Sequence, residues 1–236
     1  MNDNAADRSG VARSAVVTGG GSGIGLAIAR RLRARGDAVM VVDLHAPPDA
    51  TLDFCATDLR RQEDVDACFA ACAPLLPSLS TLVCCAGRGI HERLTEGDPR
   101  KWADVFELNV MGALRMIRAF APALTRTGGD VIVVGSVGAQ RPHPWGGVYN
   151  ASKAALESLT ETLRLEMQPD VRVTLISPGV VDTGFFEAMG GGVSVDSIGF
   201  GCLHADDVAD AALFALDRPP HAVMNHLTMR PRAQPL

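Results

Sequence analysis

The chain has 236 residues, 47% of them hydrophobic and 21% charged, with a formal net charge of −5. A chain of this length buries roughly 70–75% of its unfolded surface and folds without disulfide or metal staples. The acidic balance speaks against a nucleic-acid or anionic-membrane partner, and the cluster Arg30, Arg31, Arg33, Arg35 falls at helical spacing on a solvated face.

Residues 1–13 have no apolar segment of the kind a secretory signal needs and read as a flexible tail ahead of one domain, 14–236. No stretch approaches the ~18–20 apolar residues of a membrane span, so a cytoplasmic protein is expected. The cysteines Cys55, Cys68, Cys72, Cys84, Cys85 and Cys202 form no pair of C-x-x-C clips. No metal site is therefore expected, and reduced thiols suit that compartment.

Residues 14–18 read as a first strand, which runs straight into Thr18-Gly19-Gly20-Gly21-Ser22-Gly23-Ile24-Gly25 and a helical pattern over 24–35. Glycine lets the backbone turn tightly against a phosphate, and a helix N-terminus offers free N–H groups and positive dipole charge. The common G-x-G-x-x-G spacing is not met, because Ile24 stands at its last glycine; the spacing is Gly19, Gly23, Gly25. A second strand, 38–42, is closed by Asp43, where an acid accepts hydrogen bonds from both ribose hydroxyls of NAD. The same carboxylate repels a 2′-phosphate, and Gly20, Gly21, Leu44 and His45 supply no cation to hold one. NAD rather than NADP is the expected cofactor.

A strand at 52–55, a helix at 61–73 and a strand at 81–85 follow. Residues 88–99 read as irregular, ahead of a long helix at 102–125. A strand at 131–134 ends in Gly135-Ser136, and a helix at 149–167 opens on Tyr149-Asn150-Ala151-Ser152-Lys153. Then come a strand at 171–176, a glycine-rich stretch at 184–204 read as a loop or substrate lid, a helix at 206–216 and a last strand at 223–229. Most strands are continuous apolar runs, and they alternate with helices. That pattern predicts an α/β fold, a single doubly wound Rossmann-type domain with a mostly parallel sheet flanked by helices on both faces. Ligands bind such sheets beyond the carboxyl ends of the strands.

Residues four apart share a helix face, so the Tyr149 phenol and the Lys153 ammonium point into one space. A phenol with pKa near ~10 is a poor base at neutral pH, and a nearby cation is expected to lower that value. Ser136 places a hydroxyl on the same rim, able to bond a reacting oxygen. Asn109 lies inside a helical pattern where asparagine is an indifferent choice.

Taken with Thr18–Gly25, Asp58-Leu59, Ala86-Gly87, Asn109 and Pro178-Gly179-Val180-Val181-Asp182-Thr183, this set resembles the short-chain dehydrogenase/reductase family from about residue 14 to 229. The resemblance implies hydride transfer between NAD(H) and a secondary alcohol or ketone, or a hydroxy acid. It implies Tyr149 as general acid/base, Lys153 as its pKa-lowering partner and ribose ligand, and Ser136 as the residue orienting the substrate oxygen. Asn109 would hold a water linking Lys153 to solvent. Gly19, Ser22, Gly23, Ile24, Gly25 and Asp43 would hold the cofactor, with Asp58 and Leu59 at the adenine. Ala86 and Gly87 would line it, and Pro178, Gly179, Val181 and Thr183 would meet the nicotinamide. One departure is visible: the family's usual Asn-Asn-Ala-Gly is Cys84-Cys85-Ala86-Gly87 here, and thiols are weaker hydrogen-bonding groups.

The candidate substrate pocket forms from the segment after Ser136, the loop at 88–99 and the lid at 184–204, with His91, Arg141, His143, Trp145, Phe185, Phe186 and Met189 as candidate contacts. The aromatic residues suggest an apolar or ring-bearing substrate, whereas Arg141 suits a carboxylate. The ending Asn225-His226-Leu227-Thr228-Met229-Arg230-Pro231 resembles shorter members acting on hydroxy acids and small alcohols. Apolar residues on the helices at 102–125 and 149–167 exceed what one sheet face needs, so a homo-oligomer, tetramer or dimer, is expected. Two other classes compete. A catalytically silent nucleotide-binding regulator has no chemical need for Asn109, Ser136, Tyr149 and Lys153 together. A methyltransferase shares the glycine-rich turn and acidic strand end but has no use for the tyrosine–lysine pair.

Overall fold

A computed structural model describes residues 13–192 and 194–235; the expected tail therefore falls almost wholly outside the described residues. The apolar runs become β1 (Ser14–Thr18), β2 (Ala38–Asp43), β3 (Asp53–Ala56), β4 (Leu79–Cys84), β5 (Asp130–Val134), β6 (Arg172–Pro178) and, further on, β9 (His226–Met229). These make one seven-stranded sheet in the order β3-β2-β1-β4-β5-β6-β9, with every pair parallel. Parallel pairing requires a crossover after each strand, and the crossovers are largely the helices read from the sequence. They are α1 (Gly23–Ala34), α2 (Gln62–Ala71), α3 (Pro99–Phe106), α4 (Ala113–Thr127), α5 (Gly147–Met167) and, after two short helices, α8 (Ala205–Leu216).

Successive strand residues face opposite sides, and each side has its own core. Val131 and Val133 pack with Met116, Phe120 and Leu124 of α4, and with Cys68 of α2. Ile132 and Val134 join Ile28 and Leu32 of α1 and Val208 and Ala212 of α8 on the other side. A strand covered on both faces must be apolar at every position, which is why the runs are continuous. No helix among the described residues is long and apolar enough to cross a membrane.

Three features depart from the expected elements. The long helix over 102–125 is two helices, α3 and α4, joined by a π-helical turn at Glu107–Gly112. The stretch at 184–204 is not wholly irregular: it holds α6 (Phe185–Met189) and α7 (Val195–Ile198). Its two ends are tied by a small parallel ladder, β7 (Val181–Asp182) with β8 (Leu203–His204). Two-residue strands carry no period for a sequence to display.

Arg172 at the start of β6 binds the Asp130 carboxylate at the start of β5 through Nε (2.6 Å) and Nη2 (3.0 Å). It also donates to the carbonyls of Leu216 (3.0 Å) and Arg218 (2.8 Å) at the end of α8. The two side chains are only 13% and 9% exposed. Removing one partner of a buried pair leaves the other charge poorly solvated, at a cost of about 3 kcal/mol. Arg172→Leu should therefore lower the urea midpoint by that equivalent, and an unchanged midpoint would show that the pair is not a structural staple.

Candidate active site

In this strand order the chain crosses from β1 to β2 on one side and returns from β3 to β4 on the other side of β1, and the sheet opens between those crossovers. A cleft of about 1170 Å³ lies there, at the carboxyl ends of the strands. Its walls bring together Gly19, Ser22–Gly25, Asp43, Asp58, Leu59, Ala86, Gly87, Ser136, Tyr149, Lys153, Pro178, Gly179, Val181 and Thr183. Asn109 lies behind the wall.

One half is shaped by the turn into α1. Ser22 caps the helix in extended conformation, and its side chain accepts no bond from the first turn. The first N–H groups of a twelve-residue helix thus face the cleft with the positive end of the dipole. At Gly25 any side chain would overlap the Gly19 carbonyl oxygen, so the turn closes only with glycine there. Across the opening, a methyl group at Gly23 would lie 3.2 Å from Thr183 Cγ2. Asp43 is held by three backbone donors: Gly21 N–H (2.9 Å) to Oδ2, and Leu44 (2.7 Å) and His45 (3.3 Å) N–H to Oδ1. A carboxylate has about four lone-pair directions, so its remaining capacity is for a ligand in the cleft. Asp58 is differently placed. Arg60 grips it through Nε (2.9 Å) and Nη2 (2.7 Å), and that guanidinium holds the carboxyl below its ordinary range. A helix N-terminus for a pyrophosphate and an oriented carboxylate for ribose hydroxyls fit a dinucleotide.

Cys84 and Cys85 do not loosen this half. The Thr18 hydroxyl donates to the Val83 carbonyl (3.3 Å) and accepts from Cys85 and Ala86 N–H (3.1 and 3.2 Å). It braces β1 against β4 where thiols offer little. Burial pushes both thiols up, Cys84 to about 12 and Cys85 to about 11, so they stay neutral and unreactive.

The other half carries titratable groups. The Ser136 hydroxyl accepts from Gly138 N–H (3.1 Å) and favours the charged form of the Tyr149 phenol. Lys153 Nζ donates to the Val134 carbonyl (2.9 Å) and lies 6.0 Å from the Tyr149 ring centre. The expected lowering of the phenol pKa is not what this structure shows. Burial pushes Tyr149 up to about 12, with the Ser136 bond pulling the other way. The same burial brings Lys153 down to about 8. Desolvation is the largest cause of both shifts, because both groups sit in the protein interior.

Asn109 sits in the π-helical turn, fully buried. Its Oδ1 accepts from Arg88 N–H (2.8 Å), while Nδ2 donates to the Arg88 carbonyl (3.0 Å) and the Ser152 hydroxyl (3.0 Å). With both amide protons used, the side chain is a strut between the end of β4 and α5. A water held here would bond to carbonyls of the turn.

Of the expected pocket residues, Arg141, His143, Phe185 and Phe186 line the cleft, as do His91 and Met189. Trp145 does not. Its backbone is left-handed (φ 69°), and its indole stacks on His91 (5.6 Å, 8°) with Arg93 over it (4.5 Å). Bulky residues rarely adopt that backbone, and sequence gives no sign of it. Arg88 and Gly89, in the loop expected to border the pocket, are in the wall, and sequence reading missed Arg230 and Gln234, which are there too. Gln234 Oε1 accepts from Val180 N–H (3.0 Å), 54 positions away, so nothing local signals it.

A parallel sheet opened at a glycine turn, with a serine, tyrosine and lysine across the cleft, defines an α/β dinucleotide-binding oxidoreductase. The short chain dehydrogenase family model matches residues 13–191, and the chain belongs to that family. An uncharacterized oxidoreductase of Staphylococcus epidermidis is 30% identical over 227 residues, spanning 92% of this chain and 96% of that protein. Among solved structures, an alcohol dehydrogenase from the archaeon Thermococcus sibiricus, complexed with 5-hydroxy-NADP, superposes with a TM-score of 0.84. It is 28% identical, with 95% and 98% of the two chains covered. A serine dehydrogenase in its closed form with NADP+ gives 0.87 at 26% identity, covering 94% and 96%.

Holding an ammonium in this interior costs stability. The folded-state pKa of Lys153 lies below the ordinary 10.5, so the unfolded chain binds the extra proton between about 8 and 10.5. Stability from this group therefore rises with pH through that window and is at its worst near neutrality. Lys153→Met should melt above the wild type at pH 7, with the margin narrowing by pH 9.5. Circular-dichroism melts at both values, without cofactor, test this; a margin independent of pH would refute it.

Proposed function

We propose that the protein transfers hydride between NAD(H) and a secondary alcohol or its ketone, with Tyr149 as general acid/base. The observation carrying this reading is the convergence of the Ser136 hydroxyl, the Tyr149 phenol and the Lys153 ammonium in one cleft with the glycine turn and Asp43. The bound nicotinamide supplies the hydride acceptor or donor at C4 of its ring. Gly19, Ser22, Gly23, Ile24 and Gly25 receive the pyrophosphate, Asp43 the ribose hydroxyls, and Asp58 and Leu59 the adenine. Ala86 and Gly87 flank the cofactor, Lys153 and Tyr149 meet its second ribose, and Pro178, Gly179, Val181 and Thr183 its carboxamide end.

In reduction, the Tyr149 hydroxyl gives its proton to the carbonyl oxygen while the carbonyl carbon takes the hydride. Ser136 donates a hydrogen bond to the same oxygen, where negative charge develops. A phenol near 12 is a competent donor to an oxygen on its way to an alkoxide. In oxidation the phenolate takes the alcohol proton, and the Lys153 ammonium stabilises it. A water held at Asn109 links Lys153 to solvent and returns the proton.

Asp43 supports NAD over NADP. The two solved relatives above hold NADP forms; in this chain the carboxylate at the end of β2 favours ribose hydroxyls and repels a 2′-phosphate. The guanidinium lining that end, Arg60, is already bound to Asp58. Phe106, Met111 and Leu165, exposed on α3, the π-helical turn and α5, support a homo-oligomer.

Tyr149→Phe should lower kcat at least a hundredfold, within the ~10²–10⁴ range of general acid/base catalysis, and change the NADH Kd less than threefold. More than a tenth of wild-type kcat, with chemistry rate-limiting, removes Tyr149 from the mechanism. The Kd values of NADH and NADPH should differ at least tenfold, about 1.4 kcal/mol, and Asp43→Ala should close the gap by improving NADPH. Equal affinities in the wild type contradict the assignment. Light scattering at micromolar concentration should give a multiple of the chain mass.

A further inference from the structure

Arginines on the outer surface are for the most part in ion pairs, as Arg31 is with Asp210 and Arg61 with Glu63. Three in the wall of the cleft are not. Arg88, Arg141 and Arg230 line it and have no ion pair among the described residues. They arrive from three different strand ends. Arg88 follows Gly87, where a side-chain carbon would lie 3.6 Å from Lys153 Nζ. Arg141 closes the turn that Ser136 begins, its N–H bonded to the Val137 carbonyl (2.9 Å). Arg230 follows β9, with its Cγ 3.1 Å from where a side chain on Gly179 would start.

Among the described residues, the carboxylates in the wall are Asp43 and Asp58, both on the glycine-turn side. Arg88, Arg141, Arg230, His91 and His143 share the wall with Ser136 and Tyr149, and among the described residues no further acid lines it. In a chain of net charge −5 this is a local reversal of sign. A cleft lined by one sign of charge between low-dielectric walls concentrates ligands of the other sign.

The wall over Tyr149 is apolar and close. The Phe185 ring centre is 5.5 Å from that of Tyr149, and Met189 beside it is buried. Both pack where Gly89 has no side chain: a methyl group there would lie 2.7 Å from Met189 Sδ and 2.9 Å from Phe185 Cζ. Little room remains over the phenol for a long substituent.

We propose that the substrate is a short keto acid, or the matching hydroxy acid, whose carboxylate is held by Arg141 and Arg88 while its carbonyl meets Ser136 and Tyr149. This deepens the oxidoreductase reading and rests on it. The carbonyl carbon gains the hydride and its oxygen the Tyr149 proton, while the carboxylate is unchanged. Guanidinium binds carboxylate through two parallel hydrogen bonds, so it selects for the group's shape as well as its charge.

The test uses pyruvate, acetoacetate and levulinate, each beside its methyl ester, with the NADH-loaded protein. Within each pair the ketone sits on the same carbon skeleton, and the ester replaces the carboxylate by a neutral group that makes the ketone no less electrophilic. At least one acid should exceed its ester tenfold in kcat/KM. Arg141→Gln with Arg88→Gln should raise the KM for that acid at least tenfold, leaving its ester and the NADH Kd within twofold. Arg33→Gln, an exposed arginine of α1, should change neither. Binding is read separately, as the thermal shift each compound produces. An acid-specific shift lost in the double variant supports the assignment even without turnover, and would then count against the oxidoreductase reading alone. No acid favoured over its ester in either readout, or equal losses on acid and ester in the double variant, overturns the proposal.

Discussion

The pairing of β1 with β2 on one side and β4 on the other is the constraint from which the rest follows. It forces the chain to cross the sheet in opposite directions, so a crevice must open at the carboxyl end of β1. The glycine turn lies at that point, and Thr18 spans it with a single hydroxyl bonded to Val83, Cys85 and Ala86. Because β4 and β5 pair in turn, Val134 and Ser136 arrive beside the same opening. Every chemical group in the cleft is therefore placed by strand order before any side chain is oriented.

Within that frame the protein keeps two ionisable groups where water is scarce. Lys153 is 5% exposed and Tyr149 9%, and each is displaced by burial toward its neutral form. Such sites weaken a fold that larger apolar residues would strengthen, a cost that fits the catalytic role proposed for them. The π-helical turn at Glu107–Gly112 belongs to the same logic. It interrupts a regular helix and spends the Asn109 amide on bracing Arg88 and Ser152.

The pair Cys84-Cys85 shows how a local departure is absorbed. Asparagine amides at these positions would donate and accept across strands; thiols do so weakly. Here Thr18 carries the bracing, Cys84 fills core volume beside Leu82 and Val133, and Cys85 forms part of the cleft floor.

Much of the molecule was legible from its residues alone, because the relevant signals are local. Continuous apolar runs specify strands covered on both faces, and a helical period marks the crossovers. The turn at Gly19–Gly25, the acid at Asp43 and the four-residue step from Tyr149 to Lys153 are all short-range patterns. What tertiary structure alone decided depends on residues far apart in the chain. Asn109 meets Arg88 across 21 positions and Ser152 across 43, and these contacts accompany a break in what reads as one long helix. Trp145 leaves the pocket because His91 and Arg93, on another loop, offer it a stack. Arg88, Arg141 and Arg230 lie far apart in the chain, and only strand order brings all three to one cleft. The direction of the Tyr149 and Lys153 shifts was equally hidden, since spacing reports which groups are neighbours and only packing reports how much water they lose.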